Sequence, residues 1–329
     1  MKKFLLKMAM FLVVFVVLDN AIYYASRYLQ AGGSFRTGSL NLVYSGDADV
    51  DIAFFGSSRM MLHVNPRVIE QATRCSAYNF GVDGTNFEQH RFTIYEYLLH
   101  NRPPKAVVME ADLQSLDERP LDFIKEMFRP YIYESRHTFR LLAEPDGLLQ
   151  DYLPQRILRT VFRSFPYRNA IPDLLRGYLR PDPLETDGYV IIKGAHLKKG
   201  SRSFDPADRK HRRFLISPAR ERAFDELASD LAHRGITLAL LMTPRYKIFD
   251  AIDEGDYTKV VDVFTRIAGD HDNVYFLNMG ADALFTRKRD IYWNADHLNK
   301  VGADRLSREV GSALAEIFSP PGSAPTCGE

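Results

Sequence analysis

The chain alternates between short apolar runs and longer amphipathic segments from about residue 50 onward. Short runs rich in β-branched and aromatic residues are typical of buried strands, and apolar residues at helical spacing predict helices. The predicted strands are residues 50–55, 77–82, 106–109, 236–242 and 274–278, and the predicted helices are residues 65–72, 87–100, 221–234, 257–268 and 301–318. This alternation predicts an α/β fold in three layers, with a central parallel sheet between two layers of helices.

The alternation is interrupted between residues 119 and 217. This stretch is rich in arginine, aromatic residues and scattered prolines, and we interpret it as a mainly helical insertion in one α/β domain of residues 49–318. The run at 188–192 predicts one strand inside the insertion. Residues 319–329 contain proline, glycine and serine and are predicted to be a disordered tail.

The N-terminus combines basic and apolar residues in the order that signal anchors use. Three lysines precede or enter an apolar run that is uninterrupted up to Leu18 and continues more weakly to Tyr24. Counted from Phe4, these about 20 residues are long enough to span a bilayer if Lys7 reaches the headgroups. A cleaved signal peptide is the alternative, but no small-x-small site follows the run. We therefore expect residues 1–25 to anchor the chain in the cell membrane by a single pass, and residues 26–48 to be a connector. The lysines predict that the C-terminal domain is extracytoplasmic.

The net charge and the cysteine content of the chain exclude several classes of function. With 43 basic and 42 acidic residues the net charge is +1, so no overall field favours nucleic acid as a partner. Two cysteines without paired spacing exclude a zinc ribbon and a disulfide framework. A bridge between Cys75 and Cys327 is compatible with an extracytoplasmic domain, although the Pro/Gly/Ser setting of Cys327 favours a free thiol. The sequence indicates no cofactor and no metal site.

Two candidate sites for chemistry lie far apart in the sequence. Ser58 follows Gly56 at the end of the first predicted strand, where open α/β sheets bind ligands, although a serine there also serves as an ordinary helix cap. His297 precedes the last predicted helix and has the pKa range of a general base, although a histidine at such a junction is often structural. A serine nucleophile needs such a base, and the base needs an orienting group.

Taken together, three segments resemble the conserved blocks of the SGNH (GDSL-like) hydrolase and acyltransferase superfamily. Residues 56–59 resemble its first block, residues 79–85 its second and residues 294–297 its last. The resemblance covers about residues 49–115 and 218–318. It implies the SGNH, flavodoxin-like form of the α/β fold.

The resemblance also implies roles for individual residues. Ser58 would be the nucleophile and His297 the base, and the Ser58 and Gly84 amides would donate to the oxyanion. The asparagine of the third block is missing, and Gln114 is the candidate substitute donor. Asn294 stands where the family has its aspartate, so either Asn294 or Asp296 would orient His297, or the site would act as a dyad.

With the predicted anchor, the chain is similar to accessory proteins that acylate bacterial cell-surface polymers. That similarity implies an extracytoplasmic O-acyltransferase or esterase with a surface polysaccharide or other acylated polymer as partner. It also implies a multi-spanning membrane acyltransferase as a second partner. The alternative is a catalytically impaired SGNH-fold scaffold in an envelope polysaccharide assembly. A lipase would need an apolar groove, which the arginine- and tyrosine-rich insertion does not indicate.

Overall fold

A computed structural model of the chain describes most of the predicted α/β regions and only parts of the insertion. The described residues are 1–31, 38–118, 124–132, 134–143, 162–165, 175, 185–186, 189–190 and 214–318. They fall into two compact units, one formed by Met1–Tyr44 and Ile124–Pro183 and the other by Ser45–Phe123 and Leu184–Glu329.

The second unit contains a five-stranded parallel sheet. Its strands are β1 (Ile52–Phe55), β2 (Ala77–Asn79), β3 (Ala106–Glu110), β6 (Thr237–Met242) and β7 (Val274–Asn278), in the order β2-β1-β3-β6-β7. The three central strands are buried along almost their whole length, which explains why they are continuous apolar runs rather than alternating ones. The predicted α/β class and the five predicted strands of the sheet are confirmed, although β2 ends three residues earlier than predicted.

Helices flank this sheet. They are α3 (Ser58–His63), α4 (Pro66–Thr73), α5 (Phe87–His100), α6 (Leu113–Leu116), α8 (Pro218–His233), α9 (Ile248–Ala251), α10 (Glu254–Asp270) and α11 (Lys300–Phe318). Asn65 caps α4, with Pro66 at its first position, where the fixed φ of proline suits a helix start. The short helices α3 and α6 were not predicted, because four to six residues are too few to show a helical period. Both begin directly after the carboxyl end of a strand.

Within the insertion, the described residues include a two-stranded ladder in the second unit. Strands β4 (Glu185–Thr186) and β5 (Tyr189–Val190) pair antiparallel, and Tyr189 is buried in the core of that unit. The predicted strand at 188–192 is therefore present in part. Most of the predicted insertion lies outside the described residues.

The first unit contains the N-terminal apolar helix α1 (Lys2–Ala31). The stretch Lys2–Ser26 is long and apolar enough to cross a membrane, and its large apolar side chains from Phe4 to Leu18 are exposed. Within the predicted connector at 26–48, α1 continues to Ala31, and α2 (Gly38–Ser45) follows. Helix α7 (Arg136–Ala143) belongs to the same unit.

Cysteine chemistry differs from the expectation. Cys75 is buried and disulfide-bonded, and no described cysteine is free. Its partner lies outside the described residues, as does Cys327, whose thiol was expected to be free. Stable disulfides are rare in a reducing cytosol and common in extracytoplasmic proteins.

Candidate active site

Ser58 lies at the carboxyl edge of the sheet because β1 leads directly into α3. Gly56 separates the two elements, and a Cβ at Gly56 would come within 2.6 Å of Met60 Cβ and 2.7 Å of Glu110 Oε2. Glycine is therefore required by close packing and not by an unusual backbone angle. The side chain of Ser57 caps α3 by accepting the Arg59 N–H, and Ser58 is the first helical residue.

His297 lies in a tight loop before α11. The amides of Trp293 and Asn294 both donate to the His297 carbonyl, and Tyr292 forms an antiparallel bridge with Leu298. The Asn294 side chain closes the loop from within, because its Oδ1 accepts the backbone N–H groups of Asp296 and His297 at 2.9 and 2.8 Å. This loop is held by several bonds and presents the imidazole toward α3.

The structure brings Ser58, His297 and Asn294 together. Ser58 Oγ lies 2.9 Å from His297 Nε2, and His297 Nδ1 lies 3.0 Å from Asn294 Oδ1. Since an amide oxygen only accepts, this contact assigns the ring proton to Nδ1 and leaves Nε2 free to accept from the Ser58 hydroxyl. The arrangement is that of a hydrolytic serine triad with an amide in place of the acid.

Asp296 takes a different place. Its Oδ1 lies 3.9 Å from Arg245 Nη1, and among the described residues no hydrogen bond joins its carboxylate to the His297 ring. Of the two sequence candidates for orienting the imidazole, Asn294 makes the contact. Asp296 acts on His297 through its charge alone.

Burial and nearby charges set the protonation of His297. Burial lowers the pKa of His297 below its usual value of 6.5, and the positive charge of Arg59 adds to this effect. The Asp296 carboxylate opposes both, but it does not reverse the shift in the pKa of His297. The imidazole is therefore neutral, and able to accept a proton, at neutral pH and somewhat below.

The loop after β2 lies against the start of the Ser58 turn. Val82 N–H donates to the Gly56 carbonyl at 2.9 Å, and Thr85 Oγ1 also contacts this carbonyl. Gly84 is exposed on this loop with φ +75°, a value that favours glycine. In the part of the chain that the structure describes, no acceptor is found for the Ser58 or the Gly84 amide. Both amides remain candidate oxyanion donors.

Asn79, in the second block, has a structural task. Its Nδ2 donates to the carbonyls of Met60 and Val64 at 2.8 Å each, and its Oδ1 accepts the Gly81 N–H at 3.0 Å. It thus satisfies carbonyl groups at the end of α3. This residue joins the second block to the helix that carries Ser58.

Two carboxylates, Glu110 at the end of β3 and Asp112 two residues later, bind the residues next to Ser58. Glu110 is buried, accepts the Ser57 N–H at 2.6 Å and the Ser57 hydroxyl at 2.8 Å, and pairs with Arg59. Ser58 is therefore flanked on both sides by residues bound to Glu110.

Asp112 continues this buried network. It pairs with Arg59, accepts from Arg245 Nη2 at 3.1 Å, and caps α6 by accepting from Ser115. Burial would raise the pKa of Asp112, but the Arg59 and Arg245 guanidinium groups outweigh burial and hold this pKa far below its usual range. Conversely, burial would lower the pKa of Arg59, and Asp112 and Glu110 raise it. Asp112 and Arg59 are therefore both charged.

Gln114, the candidate substitute donor, lies apart from these contacts. It is exposed on α6, and its backbone carbonyl accepts from Arg220 Nη1 at 3.0 Å. Among the described residues no contact joins its side chain to Ser58 or His297, so its role stays a prediction.

The buried charge network was missed by reasoning from the sequence, although a signal was present. A strand buried on both faces that ends in two carboxylates, Glu110 and Asp112, requires buried cations. Arg59 directly follows the candidate nucleophile and Arg245 follows the end of β6, so both were available from the predicted topology. The described residues contain no group of three or more His, Cys, Asp or Glu side chains that could hold a metal ion.

Comparison with family models and with curated proteins gives no match. Among solved structures, the chain is similar to one described as "a putative platelet activating factor from Streptococcus pneumonia". The identity is 12%, the TM-score is 0.42, and the match covers 92% of this chain and 98% of that one. The fold and the site together define an α/β protein with a parallel sheet and a Ser–His–Asn constellation at its carboxyl edge.

Proposed function

We propose that this chain is an extracytoplasmic serine esterase or O-acyltransferase of SGNH type, which modifies a cell-surface glycan through an acyl-Ser58 intermediate. One observation carries the proposal: Ser58 Oγ and His297 Nε2 are 2.9 Å apart while Asn294 holds Nδ1 at 3.0 Å. Nucleophile, base and orienting group are thus within hydrogen-bonding reach of one another.

The geometry supports a two-step acyl transfer. As Ser58 Oγ forms a bond to the acyl carbon, His297 Nε2 takes the hydroxyl proton, and the carbonyl oxygen gains negative charge facing the Ser58 and Gly84 amides. When the tetrahedral species collapses, the bond to the leaving alkoxide breaks and His297 returns the proton to it. An acyl ester on Ser58 remains.

The second step repeats the first with a new nucleophile. His297 takes a proton from an acceptor hydroxyl, whose oxygen attacks the acyl carbon, and the Ser58 alkoxide leaves and recovers the proton. Water in the acceptor position gives hydrolysis, and a sugar hydroxyl gives transfer. Both outcomes use the same residues.

The location proposed here rests on two features. Helix α1 presents an exposed apolar stretch that a single membrane pass would cover, with lysines at the end expected to face the cytoplasm. The disulfide at Cys75 is typical of an oxidising compartment. A surface glycan is the polymer available to a domain tethered there, and a multi-spanning membrane acyltransferase is the proposed source of acyl groups.

A second candidate function is a scaffold of the same fold without catalysis. The observation that favours it is the third block: the Asp112 side chain is ion-paired to Arg59 and Arg245 and carries no N–H for an oxyanion. Asn294, as a neutral orienting group, also stabilises an imidazolium less than an aspartate does.

A membrane-impermeant fluorophosphonate tests location and chemistry together. We expect it to label Ser58 in spheroplasts of cells that make the full chain, because the activated serine faces outward. Labelling only after lysis would contradict the extracytoplasmic location and leave the esterase intact. No labelling in either preparation, with folded protein present, would favour the scaffold.

We expect Asn294→Asp to raise turnover of an activated acyl ester about 10- to 100-fold. In a related triad, an acid-to-amide change costs about 10⁴, largely because the amide selects the wrong tautomer. Here Asn294 Oδ1 already selects the right tautomer, so only the added stabilisation of the imidazolium is gained. Steady-state kinetics on the full chain measures the change.

The same substitution predicts a shift in pH dependence. The new carboxylate should raise the pKa of His297, which burial now lowers, and should move the acid limb of the kcat/KM profile to higher pH. Asp296→Asn is the matched control. Because Asp296 raises the pKa of His297 without touching the ring, its removal should move the limb the opposite way. A large loss of turnover in Asp296→Asn, with no effect in Asn294→Asp, would identify Asp296 as the orienting acid.

A further inference from the structure

The short helix α3 contacts the His297 loop at both of its ends. At its first residue, Ser58 Oγ lies 2.9 Å from His297 Nε2. At its last residue, His63 Nε2 accepts the backbone N–H of Leu298 at 3.0 Å. Two hydrogen bonds thus join the ends of one helix to two consecutive residues of the loop.

The surroundings of His63 bury its ring and fix its protonation state. It is fully buried, and its ring lies nearly perpendicular to that of His297, with centroids 6.1 Å apart. A backbone N–H can bond only to a nitrogen without a proton, so this contact requires a neutral imidazole with its proton on Nδ1. Burial, with the positive charges of neighbouring groups, lowers the pKa of His63 well below 6.5 and keeps the ring neutral.

The surroundings make both ends of this connection rigid. Asn79 holds the carbonyls of Met60 and Val64 around the end of α3, and Leu298 is buried in the core. Gly302 brings α11 against the Ile291 carbonyl so closely that no side chain would fit there. A change in the length of the His63–Leu298 bond would therefore act on the backbone next to His297 rather than be absorbed elsewhere.

We propose that His63 is a positioning residue that fixes His297 relative to Ser58 by holding the Leu298 amide. This inference rests on the proposed function. His63 touches no reacting atom and acts only through the backbone of the base. Loosening of this bond would lengthen the Ser58–His297 contact and admit water to the imidazole, and small displacements of this kind lower rates without removing chemistry.

Three substitutions separate positioning from bulk packing. His63→Gln places an amide oxygen near the position of Nε2 and can still accept from Leu298. His63→Asn places its oxygen near the position of Nδ1 and cannot reach, and His63→Leu offers no acceptor. His233→Asn is the control, because His233 is exposed on α8 and its Nδ1 bonds to the Ser229 carbonyl of the same helix.

Turnover of an activated acyl ester by the full chain in nanodiscs gives the first measurement. We expect kcat to fall about 10- to 100-fold in His63→Asn and His63→Leu with KM little changed, and to recover largely in His63→Gln. Equal kcat in wild type and the three His63 variants, measured well below their melting temperatures, would overturn the proposal even if His63→Asn and His63→Leu were less stable.

The second measurement does not depend on activity. With histidine labelled in ¹³C and ¹⁵N, NMR titration should show the pKa of His297 rising toward 6.5 in His63→Asn and remaining low in His63→Gln. An unchanged His297 titration in His63→Asn would overturn the positioning role. A shifted titration in a protein that hydrolyses no ester would support positioning and contradict the proposed function, so the two failures are distinguishable.

Discussion

Replacement of Ser58 by alanine is expected to lower turnover of an activated acyl ester by about 10⁴ or more and to abolish fluorophosphonate labelling. The reason is that covalent catalysis ends when the nucleophile is lost, and only oxyanion stabilisation and binding remain. His297→Ala should cause a loss of similar size, because the hydroxyl loses its base. The double variant should be little worse than either single one, since the two residues act as a unit.

Ser57→Ala is the matched control, because it removes the neighbouring hydroxyl and keeps the Ser57 backbone bond to Glu110. It loses the helix cap, at a cost of about 1 kcal/mol in the free energy of unfolding, and should still be labelled. Labelling that persists in Ser58→Ala and disappears in Ser57→Ala would move the nucleophile by one residue. The orientation of the two hydroxyls opposes that outcome, because Ser57 Oγ donates to Glu110 and Ser58 Oγ faces His297.

The parts of the fold that could be predicted from sequence are those in which burial leaves a recognisable pattern of apolar residues. Strands β1, β3, β6 and β7 are mainly apolar runs four to six residues long, and α8, α10 and α11 are amphipathic over at least sixteen residues. Their existence and type followed from composition and spacing. Helices α3 and α6 did not follow, because they are shorter than two turns and are specified by caps at Ser57 and Asp112.

The candidate site was predictable to the extent that topology brings strand ends together. The parallel order predicted that Ser58, at the end of β1, and the segments following β2 and β3 meet at one edge. The choice between Asn294 and Asp296 was open in the sequence, because it depends on the hairpin-like path from Tyr292 to Leu298. His63 gave no signal at all, since its partner is a backbone amide 235 residues away.

The buried charge network next to Ser58 predicts an effect on the stability of the protein rather than on turnover. We expect Arg59→Met to lower the free energy of unfolding by about 3–5 kcal/mol, because it leaves the buried carboxylates of Glu110 and Asp112 without their shared cation. Arg102→Met is the control: Arg102 pairs with Asp49 at 2.5 Å, but both side chains are largely exposed. Its loss should cost less than about 1 kcal/mol. Chemical denaturation of the full chain measures both, and equal losses in the two variants would contradict the prediction.

The same network also predicts how the stability of the protein depends on pH in the acid range. The pKa of Asp112 is lower in the folded protein than in the unfolded chain, so its pairing stabilises the fold fully above the unfolded value of about 3.9. That contribution is lost as pH falls from this value toward the folded pKa of Asp112. Arg59→Met removes the larger of the two charge effects that lower the pKa of Asp112, so the difference in stability from wild type should be largest near neutral pH and shrink below about pH 4. A difference that stayed constant across this range would mean that Arg59 stabilises the fold by packing alone. Glu110 and Asp112 would then be satisfied by Ser57, Ser115 and Arg245 without it.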